Sequence, residues 1–102
     1  VALALDSYNL ATGGNPFEEI AQIPRERIAV AQLADGVMTG SPRSLPGDGE
    51  LPLREYVAAL AETGFDGALS VEIFPVDSPP DPLEFARRGL NAARALLSAA
   101  VA

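Results

Sequence analysis

The sequence predicts an α/β fold built from parallel strands, and three observations carry that prediction. Three short apolar runs, Val1 to Leu5, Ile28 to Ala31 and Ala68 to Val71, recur along the chain, each rich in residues that suit a buried strand. Each run ends on a polar residue, and helical patterns separate them. Strand–helix alternation of this kind calls for right-handed crossover connections, which make neighbouring strands parallel.

The first run exits at Asp6 and carries neither an initiator Met nor a basic leader with a small-residue cleavage site. It reads as a strand entered in mid-protein, which suggests that chain precedes it. Asn15-Pro16-Phe17-Glu18 then supplies a cap residue, a proline for the first helical position and acids for the first turn, predicting a short helix through about Gln22. The second run exits at Gln32. From Asp35 to Arg54 the chain holds four glycines and three prolines with no helical periodicity, and a loop of that length in a compact domain is functional or mobile. In its Pro46-Gly47-Asp48-Gly49 turn, glycines at 47 and 49 are expected to take positive φ. Pro52 opens a helix with Tyr56, Val57, Leu60 and Ala61 on one face and Gly64 as its stop. The third run exits at Glu72, and Pro75 to Pro82 forms a stiff connection. Asp81-Pro82-Leu83-Glu84 starts the last helix, whose Phe85, Leu90, Ala93 and Leu97 make an apolar stripe.

Composition narrows the function. Hydrophobic residues make up 48% of the 102 and charged residues 21%, the balance of an ordinary globular domain. Fourteen acidic side chains against seven basic ones give a net charge of -7, which repels a phosphate backbone and argues against nucleic acid. Without cysteine there is no disulfide framework and no thiolate metal site, which fits a cytoplasmic location. No apolar stretch approaches the ~20 residues of a membrane span. Three βα units fall short of the ~250 residues of a closed (β/α)₈ barrel. Alone they would leave two strand edges and one sheet face exposed, so the chain requires either a missing remainder or a partner, such as a second copy in a homo-oligomer.

In parallel α/β folds the carboxyl ends of the strands face the site, and Asp6, Gln32 and Glu72 occupy that position in all three units. Two carboxylates and an amide suit a hard divalent cation, Mg²⁺ or Mn²⁺, better than Zn²⁺ or copper. For any one of these residues loop capping is the better explanation, and for the three together the pattern leaves metal binding and capping evenly matched.

The motifs Leu5-Asp6-Ser7-Tyr8-Asn9, Ile28 to Asp35 (IAVAQLAD), Arg43 with Pro46 to Leu51 (PGDGEL), and Gly64 to Phe74 (GFDGALSVEIF) resemble, in order and spacing, four consecutive motifs of the xylose isomerase-like TIM-barrel superfamily. The resemblance covers nearly the whole chain and implies the C-terminal three βα units of a (β/α)₈ barrel over residues 1–102. It implies metal ligation by Asp6, Gln32 and Glu72, with a fourth ligand outside this sequence, and substrate binding by Arg43. Many members carry histidine at the position of Gln32, and Gln32-Leu33-Ala34-Asp35 is similar to a subset that includes 3-dehydroshikimate dehydratases. The family's Asp-x-x-His motif becomes Asp6-x-x-Asn9 here, in a chain with no histidine. An amide can bind a hydroxyl or carbonyl of substrate but cannot act as a general base. Asp35 is expected to orient its loop, Glu50 to be solvated, and Tyr8 and Phe74 to line a wall or pack in the core.

Three functions follow as expectations. The first is a divalent-metal-dependent sugar or sugar-phosphate isomerase or epimerase, acting on a small polyhydroxy carbonyl compound through an enediolate, with Glu72 as ligand and catalytic base. The second is a lyase dehydrating 3-dehydroshikimate. The third is an inactive barrel serving binding or assembly. In every case the 102 residues alone are expected to be inactive.

Overall fold

The computed structural model describes residues 2–73 and 79–101. Its main sheet has three strands in the order β1-β2-β5: β1 (Leu3–Asp6), β2 (Ile28–Leu33) and β5 (Leu69–Val71). Both pairings are parallel. A six-residue helix α1 (Ser7–Thr12) follows β1, then two 3₁₀ turns, Phe17–Gln22 and Arg25–Arg27. After β2 the chain forms an antiparallel hairpin of β3 (Asp35–Val37) and β4 (Gly40–Ser44), then α2 (Leu53–Glu62); α3 (Pro82–Val101) follows β5. These are three βα units of a barrel, with β1, β2, β5, α2 and α3 where the sequence predicts them.

The sheet is two-faced, and one irregularity sets its phase. Leu3 pairs with Ile28 but Ala4 pairs with Val30, so Ala29 is an extra residue in the ladder. Ile28 before the bulge and Ala31 and Leu33 after it turn inward, and both flanks join one buried cluster. That cluster gathers Leu5, Ile28, Ala31 and Leu33 from the sheet, Phe17 and Ile20 from the first 3₁₀ turn, and Leu53, Tyr56, Val57 and Leu60 from α2. Phe17 meets Tyr56 edge-on at 5.2 Å between ring centroids. The opposite face is open: Ala4 and Ser70 are exposed and Val30 is 45% exposed. Apolar runs that read as strands buried on both faces are thus covered on one, because three strands do not curl far enough to enclose a second core.

Four local expectations are corrected. The short helix at Phe17 is 3₁₀, with Pro16 as its cap rather than its first residue. The segment from Asp35 to Arg54 is not a structureless loop, since it opens with the β3–β4 hairpin. On α3 the buried residues are Gly89 and Ala93, while Leu90 is 49% and Leu97 39% exposed, so the helix meets the sheet along a narrower line than its apolar stripe. Of the two turn glycines, only Gly47 has positive φ (93°). Gly49 is needed for space instead, because a Cβ there would collide with the Asp35 carboxylate and the Gly36 backbone. Val1, Phe74 and residues 75–78 of the stiff connection lie outside the described residues.

Candidate active site

Strand register brings the candidate ligands to one place. Asp6 and Gln32 are direct partners across β1 and β2, so their side chains leave the same face. Gln32 in turn pairs with Ser70, and alternation along β5 and its continuation puts Glu72 on that face as well. The Glu72 N–H donates to the Leu33 carbonyl at 3.0 Å, extending the ladder by one rung to the strand exit. This shared face is the open one, and the three residues sit at its carboxyl end.

Asp6 does two jobs. Its Oδ1 accepts the Asn9 N–H at 2.8 Å, capping α1, and its Oδ2 accepts from Arg43 Nη1 at 2.8 Å. The helix it caps was not read from the sequence, although an aspartate just after a strand is a cap signal. Ser7, fully buried, ties the β1 exit to the β2 exit: its Oγ donates to the Ala34 carbonyl at 2.7 Å and accepts the Ala34 N–H at 2.9 Å. Sequence reasoning passed over Ser7, because a serine beside a cap residue carries no mark of a bond 27 positions away.

Arg43 arrives from β4, and the structure brings it to the other candidates. Besides Asp6 it donates to the Glu72 carbonyl at 2.9 Å and, through Nη2, to Asn9 Oδ1 at 3.3 Å. Its guanidinium lies 4.7 Å from the centroid of the Tyr8 ring. The Arg43–Asp6 pair is nearly dry, with side chains 13% and 5% exposed. Asn9 and Arg43, expected to bind substrate, are therefore in contact with each other and with Asp6.

Asp35 holds the arm that delivers Arg43. Its buried carboxylate accepts three backbone N–H groups, from Gly36 at 2.8 Å, Gly47 at 2.9 Å and Leu51 at 3.0 Å. Start of the hairpin, turn and approach to α2 are thus pinned to one side chain, which is the orienting role the sequence suggests. Glu50 is exposed, as expected, but also accepts the Met38 N–H at 2.8 Å and so braces the hairpin tip. From below, the buried Tyr56 hydroxyl donates to the Gln32 carbonyl at 2.9 Å. Burial pushes this phenol well above its ordinary pKa, and the Asp6 charge adds to the rise, so it remains a donor.

Among the described residues no three His, Cys, Asp or Glu side chains gather as a metal site. The candidate set has two carboxylates and one amide, all oxygen donors. Its chemistry fits a divalent cation, and three donors leave such an ion's coordination incomplete.

Comparison with known proteins agrees with this architecture. Residues 1–96 match the family model described as xylose isomerase-like TIM barrel, and the chain belongs to that family. It is 32% identical over 80 residues to an inosose isomerase of Bacillus subtilis (strain 168), an alignment covering 72% of this chain and 29% of the relative. It is also 32% identical over 83 residues to a 3-dehydroshikimate dehydratase of Pseudomonas putida KT2440, covering 72% of this chain and 13% of that enzyme. A crystal structure of the IOLI protein with a bound zinc atom superposes with a TM-score of 0.86 at 25% identity, over 96% of this chain and 38% of that one. The chain therefore spans less than a third of the curated relatives it matches. It is a partial barrel of a family that includes sugar isomerases, and a member of similar fold carries a divalent metal. No helix among the described residues is long and apolar enough to cross a membrane.

Proposed function

We propose that the intact protein is a divalent-metal-dependent isomerase or epimerase of a small polyhydroxy carbonyl compound, and that residues 1–102 are the C-terminal part of its barrel. The observation that carries this reading is the emergence of Asp6, Gln32 and Glu72 on one open face at the carboxyl ends of three adjacent parallel strands. Asp6, Gln32 and Glu72 would hold the cation, which the oxygen-only donor set makes Mg²⁺ or Mn²⁺. When bound, the ion polarises the substrate carbonyl and acidifies the adjacent carbon.

The chain's own residues supply the rest. Arg43 and Asn9 bind substrate oxygens, the arginine offering a fixed positive charge to the developing enediolate and the amide a neutral hydrogen bond. Glu72 moves the proton between the two carbons, since Asn9 cannot. The inosose isomerase relative supports a polyhydroxy ketone as substrate. Replacing Glu72 with Ala in the intact protein is expected to abolish isomerisation, as is chelation, with activity returning on adding Mg²⁺ or Mn²⁺; full activity in E72A would sink the assignment.

A second reading, dehydration of 3-dehydroshikimate, is favoured by the Gln32-Leu33-Ala34-Asp35 motif and by the dehydratase relative. The growth of aromatic ultraviolet absorbance with 3-dehydroshikimate would select it over isomerisation.

A further inference from the structure

We propose that Arg43 is an internal counter-ion of the candidate metal site, competing with the divalent cation for Asp6 and yielding to it when substrate takes the guanidinium. This rests on the metal-site reading above and deepens it.

Four observations carry the idea. Both Asp6 oxygens are engaged, Oδ1 by the Asn9 N–H and Oδ2 by Arg43. The same nitrogen, Nη1, also reaches the Glu72 carbonyl. Asp6 ends β1 and Glu72 follows β5, which flank β2 on opposite sides. A single nitrogen touching both flanks therefore lies across the end of β2, where Gln32 emerges. The three candidate ligands leave the same face at this end of the sheet, so a positive charge already stands on Asp6, beside the exits of the other two. Second, the pair is buried enough that water screens it little. Third, Arg43 belongs to the β3–β4 hairpin and not to the sheet that carries the donors, so the guanidinium can move without disturbing their register. Fourth, contacts other than Asp6 already hold it: the Tyr8 ring at 4.7 Å and Asn9 Oδ1 at 3.3 Å can keep it after Nη1 leaves Asp6.

Two like charges cannot share the Asp6 oxygen at close range in a dry site. A cation that takes Oδ2 therefore displaces the guanidinium, and an oxygen-rich substrate that draws Arg43 away makes cation binding easier. By linkage, cation and substrate then favour each other's binding.

The test measures Mn²⁺ affinity by electron paramagnetic resonance in the intact protein without substrate. Arg43→Met keeps the stem and removes the charge, and is expected to bind Mn²⁺ on the order of 10-fold more tightly than wild type, within the usual range of coupling between sites. Arg43→Gln is a second neutral variant should Met fail to fold, and is expected to shift the same way. Arg43→Lys retains the charge and is expected to stay with wild type. Unchanged or weaker Mn²⁺ binding in the neutral variants, while Asp6→Asn abolishes it in wild type, would overturn the proposal and leave the metal site standing. Mn²⁺ binding that survives Asp6→Asn would overturn the metal site itself.

Discussion

A single buried carboxylate decides where the arginine of this site can go. Asp35 gathers three backbone N–H groups, at 2.8 to 3.0 Å. Removing it leaves the Gly36 and Leu51 N–H groups buried without that acceptor, and hydrogen bonds to charged groups are individually among the stronger ones. Asp35→Ala is expected to cost about 3 kcal/mol, seen as a lower denaturant midpoint of the intact protein, with Asp35→Asn costing less because it keeps an acceptor oxygen. Tyr56 offers a test with a pH signature. Its folded pKa is raised, so the stability it contributes is complete below the ordinary tyrosine value of about 10 and erodes as pH climbs above it. Tyr56→Phe leaves the Gln32 carbonyl without its donor and is expected to cost about 1 kcal/mol at neutral pH. The gap in urea midpoint between wild type and variant should narrow above about pH 10; a gap constant with pH would contradict this account.

At the scale of elements, the hairpin is the piece to perturb. A methyl group at Gly49 would press on the Asp35 carboxylate and the Gly36 backbone. Overpacking of this kind costs about 1–3 kcal/mol, so Gly49→Ala should lower stability within that range and loosen the seat of Arg43, raising KM more than it lowers kcat. The strands, α2 and α3 were legible because apolar runs and helical caps are local signals that recur at the right spacing. Asp6, Gln32 and Glu72 were legible as strand exits for the same reason. The β3–β4 hairpin was hidden by its composition: its strands, Asp-Gly-Val and Gly-Ser-Pro-Arg-Ser, have no alternating pattern, and the bonds of Asp35 and Glu50 to distant backbone secure them. The six-residue α1 is too short for periodicity to show, and its cap, Asp6, also carries the signature of a strand-exit ligand. The meeting of Arg43 with Asp6 and Asn9 spans 37 and 34 positions, a long-range contact that no local pattern encodes.

Over the whole molecule, the sheet has β1 and β5 as edge strands and one open face, and α3 presents Leu83, Leu90 and Leu97 to solvent. Exposed edges and apolar surface of this kind associate readily. Residues 1–102 produced alone are therefore expected to self-associate, visible as a mass above the 10.6 kDa monomer in light scattering, and to lack turnover. The central claim concerns three strand exits serving one cation. Its most direct test is anomalous diffraction from crystals of the intact protein grown with Mn²⁺. The account predicts one strong Mn²⁺ peak ligated by Asp6, Gln32 and Glu72, with the Arg43 guanidinium moved off Asp6. A peak bound elsewhere would contradict it, and an Asp6 still paired with Arg43 at saturating Mn²⁺ would contradict the counter-ion proposal alone.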